Sequence, residues 1–336
     1  MSAAGPKPTD LAGELRALRE GAGLLELPGR GVLEVRGSER VRWLDGMLSQ
    51  DVRAVAARGV GAGGYALALT QKGRIVADVH LLVHEECIWL ELERAAIPAL
   101  TAHLERYIIA DDVELRDVSA ELTRFALEGP RAAQAVETLL ETSPEEPEGF
   151  VPVQPGGLQA WLATWGLLGP SGRQLFASSS SAQELRETLL DAGAEVGLVP
   201  VREEAFHLRR IEVGIPWLGR ELDESVLPAE ARLERAVSTT KACYTGQEVV
   251  ARLRSRNRRN HLLVGLRFEE PAPEPGAGLQ AEGRRAGEVT SVARPPSGEP
   301  IGLGFVRAEL AEPGVTLSLQ GGRAARVCAI PLDAQA

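Results

Sequence analysis

The stretch Lys241-Ala242-Cys243-Tyr244-Thr245-Gly246-Gln247-Glu248 organises the reading of this chain. An ammonium stands two residues before a thiol, and the thiol stands just before a helix start. Thr245 followed three residues on by Glu248 has the pattern of a capping box, and Val249, Val250, Ala251 and Leu253 supply apolar helix content. A thiol just outside a helix N-terminus meets backbone N–H groups and a dipole that favour negative charge. Lys241 pushes the same way, so the spacing predicts a reactive Cys243 whose thiolate forms more easily than that of a free cysteine. The competing reading is a small buried apolar residue, the usual role of a free cysteine. Gly, Gln, Thr and Lys are poor company for a core.

Outward from the octet, the chain turns basic. Arg252, Arg254, Arg256, Arg258 and Arg259 follow the expected helix inside a protein of net charge −10. A solvated charged turn explains them as well as an anion site does. Guanidinium groups pair with carboxylates in bidentate fashion, so an anion site here would suit a ligand with several carboxylates. On the other side, Arg209-Arg210-Ile211-Glu212-Val213-Gly214-Ile215-Pro216 reads as a helix closed by Gly and Pro. Leu227-Pro228 then leads towards the octet.

Size and composition set the wider bounds. A chain of 336 residues suits two or three domains. With 44% hydrophobic residues and no run long and apolar enough to span a bilayer, a globular protein with no membrane partner is expected. Met1 to Asp10 lacks a basic segment followed by an apolar one, so no secretory signal is expected. Three scattered cysteines (Cys87, Cys243 and Cys328) make neither a disulfide framework nor a metal pair, which fits a reducing, cytoplasmic compartment. The acidic balance argues against a broad nucleic-acid surface.

The first half alternates strands and helices. A helix with Leu11, Leu15 and Leu18 is capped by Thr9 or Asp10. A strand covers Gly31 to Arg36, and Ser38 caps a helix lined by Val41, Leu44 and Leu48. Tyr65 to Leu69 and Ile75 to Val83 read as a hairpin across the turn Thr70 to Arg74. Period two puts Ala77, Val79, Leu81 and Val83 on one face, and Asp78, His80 and His84 on the other. That spacing is weak evidence for metal ligands. A helix from Gln183 to Asp191 stops at Gly193. Gly61-Ala62-Gly63-Gly64 lacks the Lys and Ser/Thr of a phosphate loop. On either side of a break at Glu269 to Gly278, short strands near 261–267, 288–292, 301–306, 316–319 and 326–330 predict a β-barrel of about 70 residues.

The octet resembles the Lys-Gly-Cys-Tyr-x-Gly-Gln-Glu signature of the YgfZ family, folate-binding relatives of the glycine-cleavage T-protein (aminomethyltransferase). Ala242 stands where the family has glycine, which strains the backbone only if the position takes a positive φ. Gly37 with the helix through Asp51-Val52, the Lys72-Gly73 turn, the segment Arg210 to Gly214 and Leu227-Pro228 are similar to family counterparts, so the resemblance covers most of the chain. It implies an α+β, T-protein-like three-domain ring: two α+β domains with antiparallel sheets, and a C-terminal β-barrel. The implied boundaries are 22–118 with 200–258 for a discontinuous folate-binding domain, 119–199 for the second and 259–332 for the barrel. The implied cofactor is tetrahydrofolate or a one-carbon derivative. Cys243 and Lys241 would stand at the functional centre, with Asp78, Arg210, Glu212, Tyr244, Gln247, Glu248, Arg252 and Arg254 at the cofactor.

The chain also departs from the T-protein. A Gly-Tyr-Thr-Gly-Glu segment gives the T-protein a pterin-binding glutamate; the counterpart here, Gly166-Leu167-Leu168-Gly169-Pro170, has no carboxylate. The T-protein's Gly-Gly-Ile-x-Asp-Asp strand carries its catalytic aspartate; in Gly73-Arg74-Ile75-Val76-Ala77-Asp78 only the second acid survives. The expectation is therefore a tetrahydrofolate-binding protein that supports assembly or repair of iron–sulfur enzymes, and through them tRNA modification. Its partners would be iron–sulfur proteins or cluster-assembly factors. The alternatives are a folate-dependent aminomethyltransferase of the glycine-cleavage type and a non-catalytic module that binds RNA or a protein.

Overall fold

The computed structural model describes residues 10–142, 148–255, 259–296 and 298–332. The chain divides into two compact units: residues 1–68, 77–206 and 238–244 form the first, and residues 69–76, 207–237 and 245–336 the second. The octet runs from one into the other, with Tyr244 the last residue of the first unit's segment.

In chain order the elements begin with α1 (Leu11–Glu20), β1 (Ala22–Glu26), β2 (Arg30–Arg36), α2 (Arg40–Met47), α3 (Val52–Ala56), β3 (Gly63–Leu69), β4 (Ile75–Val83), β5 (Ile88–Glu93), α4 (Ile97–Glu105) and β6 (Glu114–Asp117). There follow β7 (Leu122–Glu128), α5 (Ala132–Leu140), β8 (Phe150–Val153), β9 (Ala160–Ala163), β10 (Arg173–Ser178), α6 (Ala182–Glu195) and β11 (Leu198–Pro200). The remainder is α7 (Glu203–Val213), α8 (Gln247–Ser255), β12 (His261–Phe268), β13 (Gly278–Ala281), β14 (Arg284–Ala293), β15 (Ile301–Arg307), β16 (Thr316–Ser318) and β17 (Ala324–Cys328).

One sheet has five strands in the order β3-β4-β5-β2-β6, and a second has six in the order β11-β1-β7-β10-β9-β8. The ladders of the second are antiparallel except at its edge, where β1 runs parallel to β11. β1 thus joins strands from beyond residue 118. Val32, Leu82, Trp89, Phe150, Trp165 and Phe176 form one core cluster of this unit. Leu24, Phe125, Leu127, Leu162, Leu175 and Leu189 form another. The last six strands close into an antiparallel barrel, β12-β15-β14-β13-β16-β17. Its interior is filled by Val264, Leu266, Phe268, Leu279, Val289 and Val306, as period-two alternation requires in a small barrel. The fold is the α+β arrangement with antiparallel sheets and a C-terminal barrel that the resemblance implied.

Several local readings need correction. Ser38 does not cap α2, because its N–H and Oγ both donate to Asp112 Oδ2, at 2.8 and 2.6 Å. Gly193 does not end its helix. α6 runs through it to Glu195, Gly193 packs where a β-carbon would lie 2.7 Å from Leu198, and Gly197 (φ +77°) follows the end. α8 begins at Gln247 rather than straight after Thr245, with the Val250 N–H on the Gly246 carbonyl (3.3 Å). The strand β13 (Gly278–Ala281), which starts at the last residue of the stretch read as a break, is not among the expected strands. Ala242 is not among the described residues of positive φ, so alanine there is unstrained.

Candidate functional site

Asp78 lies on β4, where alternation turns Ala77 and Val79 into the core, both fully buried. Tyr65, on the neighbouring strand β3, donates its hydroxyl to Asp78 Oδ2 at 2.9 Å. Asp78 Oδ1 is buried and has no hydrogen-bond partner. Burial raises the Asp78 pKa, while the Arg30 guanidinium and the Tyr65 hydroxyl pull it down. Two residues on, the buried His80 ring lies 4.8 Å from the Tyr65 ring and stacks on Trp165 at 4.7 Å. Trp165 Nε1 is a second buried polar atom without a partner. Asp78 thus has one acceptor, and Trp165 one donor, that no described residue satisfies. His84 lies apart from them among Trp89, Phe150 and Trp161, with burial lowering its pKa to about 4. No metal-ligating group of three or more His, Cys, Asp or Glu exists among the described residues.

Behind Asp78 runs a buried polar network that sequence reasoning missed. Arg30 holds Glu91 in a bidentate pair, Nε to Oε1 at 2.6 Å and Nη2 to Oε2 at 2.8 Å. Arg124 donates to the same Glu91 oxygen and, at 3.3 Å, to Gln174. Gln174 donates to Glu128 at 3.0 Å, and Glu128 also accepts the N–H groups of Leu167 (2.7 Å) and Leu168 (3.1 Å). Burial alone would push Glu91 up, but Arg124 and Arg30 hold it at about 2. Burial wins at Glu128 and pushes it up to about 8, against the pull of its N–H donors. The available signal was a charge at an inward position of an apolar strand, such as Glu91 in Ile88-Trp89-Leu90-Glu91-Leu92; such a charge must be paired.

The octet's first half belongs to the same unit. Cys243 is exposed, whereas Cys87 and Cys328 are buried. Burial, with Glu34 beside it, pushes the Cys87 thiol up to about 12. Lys241 turns inward: its side chain is 2% exposed. Its ammonium donates to the carbonyls of Asp45, Leu48 and Gln50 and to Asp45 Oδ1, and lies 5.3 Å from the centre of the buried Tyr244 ring. The ammonium that the spacing sets beside Cys243 thus engages the backbone carbonyls of Asp45, Leu48 and Gln50.

The second unit holds the other expected residues. Gln247 and Glu248 form the first turn of α8, where Glu248 is exposed and bonded to Arg252 at 2.5 Å. Arg254 lines a cavity of about 210 Å³ with Pro228, Val237, Val250, Leu253 and Arg259. Arg256 and Arg258 lie outside the described residues. Arg210, expected beside the cofactor, is fully enclosed: it donates to Glu221 Oε2, the Ile215 carbonyl and Ser291 Oγ, each at 2.8 Å. It joins α7 to the barrel strand β14. Glu212 is buried and paired with Arg209 at 2.9 Å.

Residues 8–241 match the GCVT N-terminal domain and residues 262–333 the glycine cleavage T-protein C-terminal barrel domain. An aminomethyltransferase of Geobacillus kaustophilus is 30% identical over 322 residues, covering 92% of this chain and 86% of that protein. One from Saccharopolyspora erythraea is 30% identical over 329 residues, covering 96% and 88%. The crystal structure of the glycine cleavage system aminomethyltransferase T from Bartonella henselae superposes with a TM-score of 0.81 at 23% identity, over 96% of this chain and 89% of that one. With both domains matched in order along a chain of this fold, the protein belongs to the glycine cleavage T-protein family.

Proposed function

We propose that the protein binds a reduced folate and works in one-carbon transfer of the aminomethyltransferase class, with Asp78 as the carboxylate that meets the pterin. The observation that carries this reading is the buried, unpartnered Oδ1 of Asp78. A pterin presents adjacent N–H donors that match a carboxylate, and a carbonyl that an indole N–H such as that of Trp165 can bond. Bound folate would supply the carrier of the one-carbon unit. Tyr65 fixes the orientation of Asp78, and Arg30 keeps it ionisable in a buried setting. The aminomethyltransferase names of the relatives support this class. Titration calorimetry with tetrahydrofolate tests it: Asp78→Asn, nearly isosteric, should weaken binding by about tenfold or more, equivalent to about 1.4 kcal/mol. Equal affinity in the two proteins would sink the role of Asp78.

A second reading rests on Cys243, the exposed thiol of an octet similar to the YgfZ signature. Buried Ala77 and the acid-free loop at Pro170 take the places of two T-protein acids, which favours folate binding without aminomethyl transfer. In this reading the protein works in the cytoplasm and maintains iron–sulfur enzymes. An assay with an aminomethylated lipoyl carrier separates the two. Turnover supports transfer. Folate binding without turnover, together with loss of cluster-dependent activity in a deletion strain that Cys243→Ala does not restore, supports the second.

A further inference from the structure

The end of α2 and the turn after it gather acceptors around one point, where Asp45 Oδ1 also takes the Val52 N–H at 3.0 Å and Asp45 Oδ2 pairs with Arg53 at 3.4 Å. A helix leaves its last carbonyls without intrahelical donors, and its dipole favours a cation there. The chain then turns through Leu48, Ser49 and Gln50 to Asp51, the N-cap of α3. Into this turn Lys241 brings an ammonium from almost two hundred residues away. Nζ lies 2.9 Å from the Leu48 carbonyl, 2.9 Å from the Gln50 carbonyl and 3.2 Å from Asp45 Oδ1, and it also bonds the Asp45 carbonyl. An ammonium has three protons, yet four oxygens surround this one. Three carbonyls and one carboxylate make an oxygen shell of the kind that replaces the hydration of a potassium ion. Burial lowers the Lys241 pKa, and Asp45 pulls it back. The same turn holds the segment by its backbone: the Ser238 N–H donates to the Ser49 carbonyl at 2.9 Å, and the Lys241 N–H to Ser238 Oγ at 3.2 Å.

We propose that the turn between α2 and α3 is a monovalent-cation site which the chain fills with its own ammonium, making Lys241 a positioning residue that docks the Cys243-bearing segment 238–244. The charge, rather than the length of the side chain, does the docking. This holds whichever reading of function stands, since it concerns the cage and not the folate.

Lys241→Ala opens the cage to ions from solution. In this variant amide exchange across 238–244 should quicken by about tenfold. Potassium or ammonium chloride should slow it again and raise the unfolding midpoint, in a saturable way, beyond tetramethylammonium chloride at equal ionic strength. Potassium and ammonium are close in size, whereas tetramethylammonium is too large for the shell. Wild type, with the cage filled, should show no such cation preference. Lys241→Met, which fills the space without charge, should exchange quickly in every salt. If Lys241→Ala does not fold in tetramethylammonium, the fraction refolded in potassium over tetramethylammonium reads the same difference. Identical behaviour of Lys241→Ala in all the cations, or wild-type exchange rates in Lys241→Met, would overturn the proposal.

Discussion

Glu128 ends β7 with its carboxylate wrapped by backbone. Leu167 and Leu168 donate to it, a β-carbon at Gly166 would lie 2.8 Å from Oε2, and one at Gly172 would collide with the same oxygen. The loop 166–172 therefore depends on two glycines and one buried acid. The folded pKa of Glu128, about 8, lies above the ordinary 4.5. Its contribution to stability is then fully present below about 4.5 and is lost as pH rises through about 8. Glu128→Gln cannot titrate, so the stability difference between wild type and variant should fall between pH 5 and 8.5 by on the order of 3–5 kcal/mol. Urea unfolding at the two pH values measures this. A difference independent of pH would place the Glu128 carboxyl back in the ordinary range.

At the scale of elements, the hairpin tip and the start of α8 fit each other through two glycines. Gly73 (φ +71°) closes the turn between β3 and β4, and Gly246 (φ +84°) precedes α8. A β-carbon on Gly246 would stand 2.6 Å from the Thr70 carbonyl and 3.0 Å from Gly73 Cα; one on Gly73 would stand 3.2 Å from Val250 Cγ2. Alanine at 246 meets both a left-handed backbone and a backbone collision, neither of which a side chain can relieve by rotating. Gly246→Ala should cost about 1–3 kcal/mol in urea unfolding, with the loss focused on 70–74 and 246–250 in amide exchange. A change within about 0.5 kcal/mol, as at an ordinary surface position, would show that the turn yields. The glycine in the octet thus has a packing reason independent of any ligand.

For the whole molecule, two sheets and a barrel account for most of what the amino-acid order implied. The apolar run 65–69, the period-two faces of 75–83 and the short apolar runs within 261–306 specify strands, and Gly and Pro mark where they stop. The octet, the arginine run and the acid-free loop are likewise visible in the linear chain. No helix among the described residues is long and apolar enough to cross a membrane, in line with the composition. What the sequence by itself determined is the class of fold, the strand faces, the family resemblance and the candidate residues Asp78 and Cys243. Which charges meet was decided only by the tertiary structure. Lys241 stands two residues from Cys243, but its ammonium finds the carbonyls of Asp45, Leu48 and Gln50. Arg210 sits in a segment expected to serve a cofactor, but it is enclosed against Glu221 and Ser291. Arg30, Glu91 and Arg124 lie far apart in the chain and form one buried group. The physical reason is the same in each case. A buried charge must find partners of opposite sign or strong dipoles wherever the fold supplies them, and sequence spacing carries no record of where that is.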